Sequence, residues 1–154
     1  QYRCDLAEIT GGEPLLQEDV YPLMDRLLAT GATVLLETGG HVSVARVPVA
    51  VVKVMDIKCP GSGECDRNAW ENISRLTDRD QVKFVIADRV DYEFARDVVR
   101  RQTLETRCGA VLFSAVHDVL PPARLAEWVL ADRLPVRLQI QLHKHLWGAG
   151  TRGV

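Results

Sequence analysis

Two hydrophobic patterns take turns along the chain. "DLAEIT" (Asp5 to Thr10) reads as a short apolar strand, and from Leu15 to Thr30 apolar residues fall at helical spacing, at Leu16, Val20, Leu23 and Leu27. Gly31 stands where a helix commonly ends. "TVLLET" (Thr33 to Thr38) predicts a second strand and "VVKVMDIK" (Val51 to Lys58) a third. A helix is expected over Asn68 to Leu76, with Asn68 or Asp66 as its cap. "QVKFVIAD" (Gln81 to Asp88) is the clearest strand, being rich in β-branched and aromatic residues. Tyr92 to Glu105 predicts a charged amphipathic helix, Ala110 to Val116 a fifth strand, and Pro121 to Arg133 a helix entered through proline. "VRLQIQL" (Val136 to Leu142) ends the series as a strand.

Strands alternating with helices argue for parallel β/α units. In such folds the chemistry gathers at the carboxyl ends of the strands, where loops meet helix N-termini. The polar and glycine-rich clusters "TGGEP", "ETGGH", "DIKCPGSGE", "SAVHD" and "QLHKHLWG" each fall at or just after such an end. Five polar clusters on one rim predict a site.

Length and composition narrow the partners. A chain of 154 residues is one domain by size, with enough length for a real core. The net charge of −2 gives no electrostatic reason to expect nucleic acid or an anionic membrane. The longest apolar run is broken by Pro48, Lys53 and Asp56 and is too short to span a bilayer. Cys4, Cys59, Cys65 and Cys108 make no CxxC pair, so they read as free thiols of a reducing cytoplasm rather than as metal ligands.

Each cluster has a chemical reading beside a plain one. Gly11 and Gly12 let the backbone approach a ligand, and Glu13 offers a carboxylate to a cation or amine. A tight turn with a solvated acid is the plain alternative. Lys58 and His117 can equally be loop residues, and the Ser62 hydroxyl suits a turn. Gln141 and His143, two apart on the predicted last strand, would share a face.

Taken in order, "ITGGEPLLQ", "LLETGGH", "DIKCPGSGE", "DQVKFVIAD", "YEFA" and "QIQLHKHLWG" resemble the 7-carboxy-7-deazaguanine synthases, a family of radical S-adenosylmethionine enzymes. The resemblance runs over essentially the whole chain and implies an α/β fold. The fold expected is a partial parallel β/α barrel whose N-terminal β/α units, with the cysteine-rich loop, lie before Gln1. It implies that Gly11, Gly12 and Glu13 receive the methionine amino group of S-adenosylmethionine, and that Asp56, Ile57 and Lys58 line that cofactor. Ser114, Ala115, Val116 and His117 would then meet its adenosine part, with Glu37 and Thr38 as neighbours. Thr10, His143 and the terminal Val154 are expected to bind substrate, and Gly12, Lys58, Ser114 and His143 to line one cleft.

The implied reaction converts 6-carboxy-5,6,7,8-tetrahydropterin to 7-carboxy-7-deazaguanine with loss of ammonia, on the route to queuosine and related deazapurines. It implies a [4Fe–4S] cluster and Mg2+ whose ligands are not in this chain, an electron donor such as a flavodoxin, a homodimer and a cytoplasmic setting. By itself the chain is expected to be inactive. Another radical S-adenosylmethionine enzyme of the activating type shares the GGEP turn, although the QxHK ending speaks against it. A non-catalytic α/β fragment that binds S-adenosylmethionine is the alternative from another class.

Overall fold

The computed structural model describes residues 4–148. Six strands form one all-parallel sheet in chain order: β1 (Leu6–Ile9), β2 (Thr33–Thr38), β3 (Val52–Ile57), β4 (Gln81–Ile86), β5 (Ala110–Ala115) and β6 (Arg137–Gln139). Because every step moves one place in the same direction, right-handed crossovers put the helices on one face. This is an α/β architecture, an open arc of parallel β/α units as expected. The helices are α1 (Val20–Ala29), α2 (Arg89–Gln102), α3 (Leu104–Arg107), α4 (Pro122–Asp132) and α5 (Leu142–Trp147). No helix among the described residues is long and apolar enough to cross a membrane.

Strand alternation sorts the residues onto two unlike faces. Val34, Leu36, Met55, Ile57, Val82, Phe84, Ile86, Val111 and Phe113 are buried on the helix side. They divide into a smaller core with Leu15, Val20 and Met24, and a larger one with Tyr92, Val98, Leu125 and Val129. Phe113 meets both Phe84 and Tyr92 edge-on, at centroid distances of 5.5 and 6.1 Å. That geometry adds about 0.5–1.5 kcal/mol per pair to simple burial. The Tyr92 hydroxyl shares its one proton between Asp132 Oδ2 at 2.7 Å and the Trp128 carbonyl at 2.8 Å, tying α2 to α4. The opposite face has no helix layer among the described residues and mixes polar with apolar residues, several of them buried. In register it carries Glu37 beside Val54 and Gln81, then Asp56 beside Lys83 and Leu112.

Several boundaries differ from the expectation for local reasons. The helix expected from Leu15 opens instead as a 3-10 turn, Pro14–Leu16, and α1 begins only at Val20. No α-helix forms over Asn68 to Leu76. That stretch holds one 3-10 segment, Trp70–Arg75, preceded by another at Cys65–Arg67, and the Asn68 and Asn72 side chains bond back to earlier loops rather than capping a helix. The charged helix breaks at Thr103, which adopts the left-handed conformation (φ 48°) and separates α2 from α3. The last strand stops at Gln139, so Gln141 and His143 do not share a strand face; His143 lies in α5.

At the amino-terminal end of the sheet an ion pair is almost wholly enclosed. Lys53 Nζ lies 3.0 Å from Asp80 Oδ2, with side chains 4% and 1% exposed. The same carboxylate accepts from the Lys53 and Thr77 amides at 2.8 and 2.7 Å and from the Thr77 hydroxyl. Removing one partner strands the other charge in the core. Asp80→Ala is therefore expected to cost about 3–5 kcal/mol in urea unfolding. The double apolar replacement Lys53→Met with Asp80→Leu should recover only the part due to the stranded lysine, because the Lys53 and Thr77 amides still lose their acceptor. A single variant within about 1 kcal/mol of wild type would show that the pair is solvated.

Candidate functional site

All six strands point their carboxyl ends to one rim, and the first β/α turn shapes it. Gly11 and Gly12 adopt φ 98° and 52°, where a side chain would be strained, and nothing lies within 4 Å of a Cβ placed on either. The turn therefore shows bare backbone to open space. Glu13 behaves differently from a solvated acid. Its side chain is 5% exposed. It accepts from the Leu15 amide at 3.1 Å, the Thr38 hydroxyl at 2.9 Å and the Gly39 amide at 2.7 Å. His41 Nδ1 stands 3.8 Å from the same carboxylate. Glu13 thus ties the first turn to the end of β2, and little of its bonding capacity remains.

No α-helix follows β2 or β3 directly, so the loops there, which carry only short 3-10 turns, need other partners for their backbone groups. Two asparagines supply them. Asn72, fully buried, accepts from the Val44 amide and donates to the Gly40 and Val42 carbonyls. Asn68 accepts from the Lys58 amide at 2.9 Å and donates to the Lys58 carbonyl at 2.9 Å. Asp91, also buried, accepts from the Gly61 amide at 2.7 Å and the Ala87 amide at 3.0 Å, pinning the loop after β3 to the end of β4.

Lys58, held in this way, donates to Asp56 Oδ2 at 2.7 Å. Asp56 Oδ1 is buried and has no hydrogen-bond partner among the described residues. Such an acceptor normally has one.

Three cavities meet at Lys58. One of about 130 Å³ lies over the open sheet face and is lined by Thr10, Gly12, Glu37, Asp56 and Lys83 with Lys58. A second of about 230 Å³ takes in Ile57, Cys59, Ala87 and Val116. A third of about 220 Å³ joins Gly12, Glu13, His41 and Arg67. Ala115 and His117 line a further cavity of about 330 Å³ with Leu120, Gln139 and Gln141. The Oε1 of Gln141 is the second buried acceptor without a partner among the described residues. His117 Nδ1 is 2.8 Å from Asp118 Oδ2.

Of the four residues expected in one cleft, Gly12 and Lys58 share it. Ser114 lies on the same open face, in register with Val85 and Gln139, but is buried and outside the cleft. The His143 side chain and all of Val154 lie outside the described residues.

Lys83 was not legible as a site residue, because a lysine in an alternating strand reads as an ordinary solvent-facing position. The cysteines are not joined. Burial, reinforced by the Asp91 and Asp56 carboxylates, pushes the Cys59 thiol up, and burial also raises Cys65 and Cys108. Thiols held protonated are poor nucleophiles and poor ligands. Among the described residues no group of three or more His, Cys, Asp or Glu side chains is placed to hold a metal ion.

No protein-family model matches the chain. Individual proteins do. It is 49% identical over 162 aligned positions to the 7-carboxy-7-deazaguanine synthase of Koribacter versatilis (strain Ellin345), covering 97% of this chain and 72% of that protein. The synthase of the same name from Chlorobaculum tepidum is 41% identical, with 96% of this chain and 68% of that protein covered. That of Methanospirillum hungatei is 37% identical over 90% of this chain and 57% of its own length. With the sheet, the rim and the ordered clusters, these identities show that the chain belongs to the 7-carboxy-7-deazaguanine synthase family.

Proposed function

We propose that this chain, in its full-length enzyme, converts 6-carboxy-5,6,7,8-tetrahydropterin to 7-carboxy-7-deazaguanine with release of ammonia, using S-adenosylmethionine. The observation that carries the cofactor assignment is the buried, unpartnered Asp56 Oδ1 between two cavities that Lys58 also borders. A ligand hydroxyl or N–H satisfies that oxygen, and a ribose hydroxyl is such a donor. Lys58 Nζ gives a donor to the methionine carboxylate. The exposed backbone of Gly11 and Gly12 receives the ammonium through its carbonyl oxygens, and Glu13, its own oxygens taken by Leu15, Thr38 and Gly39, acts by holding that turn in place. Ile57 and Val116 border the cavity of about 230 Å³, and Ala115 and His117 that of about 330 Å³; Ser114 closes the sheet beneath them. These are the adenosine positions of the reading.

When bound there, S-adenosylmethionine would supply the hydrogen-abstracting radical chemistry of the reaction. The chain's own residues bind, orient and exclude water. Thr10, with its hydroxyl 3.3 Å from Glu37 Oε2, faces the open sheet where substrate lies beside the cofactor, and His143 and Val154 are assigned to substrate by resemblance alone. The four cysteines do not make a ligand set for a [4Fe–4S] cluster among the described residues, and neither does any group for Mg2+. No step is derived through either group. An electron donor of the flavodoxin kind, a homodimer and a cytoplasmic setting complete the reading.

Two variants of the full-length enzyme separate the parts. Asp56→Asn keeps the shape but turns an acceptor edge into a donor. It is expected to weaken S-adenosylmethionine binding by roughly 1.5–3 kcal/mol in calorimetry. Unchanged affinity would remove Asp56 from the cofactor site. Thr10→Val should raise the KM for the tetrahydropterin about tenfold while S-adenosylmethionine affinity stays the same. Equal losses for both ligands would make Thr10 a structural residue of the turn.

A further inference from the structure

The small polar cavity over the open sheet face contains an arrangement that the cofactor does not use. Lys83 projects from the middle of β4 and is 22% exposed. Its Nζ stands 3.7 Å from Glu37 Oε1, close enough for attraction but too far for a hydrogen bond. Its ammonium forms no hydrogen bond with the described residues, so its donors remain unspent beside a cavity that it lines. Glu37 is anchored from the other side, Oε2 accepting from Thr10. Lys58, by contrast, spends one donor on Asp56 and its others serve the cofactor in the reading above. The cavity thus presents a strong donor and a strong acceptor side by side, on the same face of the sheet, from β4 and β2 with β3 between them.

We propose that Lys83 and Glu37 together read the lactam edge of the pterin ring, an inference that rests on the substrate reading above. On that edge a carbonyl oxygen, O4, sits next to the N3–H donor, with the 2-amino group beyond. Lys83 donates to O4, and the Glu37 carboxylate accepts from N3–H and the 2-amino group. A lysine alone would hold any anion, and a carboxylate alone any amine. Adjacent and fixed, they require acceptor and donor in that order. The amino-acid end of S-adenosylmethionine offers a similar pair of charges, but the bare glycine turn and Lys58 already provide for it.

The test uses the full-length enzyme and two stable ligands, 6-carboxypterin and 2,4-diaminopteridine-6-carboxylate. The second keeps the ring and carboxylate but replaces O4 by an amino group and removes the N3 hydrogen. Wild type is expected to bind 6-carboxypterin about tenfold or more tightly than the diamino compound, since a site built for one hydrogen-bond pattern rejects its reverse. Lys83→Met should abolish that preference. Glu37→Gln should weaken 6-carboxypterin about tenfold, and S-adenosylmethionine affinity should hold in both variants. A Lys83→Met enzyme that keeps the preference, loses both pteridines by the same factor, or loses S-adenosylmethionine instead would overturn the assignment. Wild type that binds S-adenosylmethionine and neither pteridine would overturn the substrate reading itself.

Discussion

Between the first turn and the end of the second strand, one buried carboxylate holds the rim in shape. Glu13 takes the Gly39 amide at 2.7 Å and the Thr38 hydroxyl at 2.9 Å while capping the 3-10 turn that begins at Pro14. An ionised acceptor bonded to several donors is among the stronger polar contacts a fold can make. Its geometric effect is larger than its energy. With Glu13 turned inward, Gly11 and Gly12 are forced outward in left-handed conformations, and the bare backbone borders the cleft shared by Thr10, Asp56 and Lys58. Without that anchor the glycine pair would be a floppy turn, since glycine loses more entropy on ordering than any other residue.

The rest of the rim follows the same logic. A sequential parallel sheet brings every strand end to one side, but here the second and third strands run into loops rather than helices. Side chains therefore replace the helix as the source of backbone hydrogen bonds. Asn72, Asn68 and Asp91 each bind two or more main-chain groups across the loops. The carboxyl rim is thus rigid around Lys58, while the helix side and the Lys53–Asp80 pair at the far end carry the stability. Function and stability occupy opposite ends of the strands.

Much of this was legible in the residue pattern, and the gaps have physical causes. The strand Thr33–Thr38 and the cores of the other parallel strands follow from apolar runs bounded by turn residues. The clustering of "TGGEP", "ETGGH" and "DIKCPGSGE" at one rim follows from topology once the strands are placed. What the pattern hid were side chains with non-local partners. Asn68 and Asn72 look like helix caps in "NAWENISR", yet beyond one local bond to Cys65 their partners lie 10 to 32 residues away in sequence. Glu13 looks free to meet a ligand, and only the fold brings Thr38 and Gly39 to it. Lys83 looks solvated because alternation says only which face it occupies, not that this face is the floor of a cavity. The short end of the last strand, at Gln139, was missed because "VRLQIQL" alternates well beyond the last residue that finds a partner on β5.

On the reading we propose, the bare-backbone rim and the charged hollow beside it serve one reaction on two ligands. Mass spectrometry of a single anaerobic incubation tests it most directly, with the full-length enzyme, a low-potential reductant, S-adenosylmethionine and 6-carboxy-5,6,7,8-tetrahydropterin. The account predicts 7-carboxy-7-deazaguanine and ammonia in equal amounts, formed only when both ligands are present. Cleavage of S-adenosylmethionine at the same rate with and without the pterin, and no deazaguanine, would contradict it.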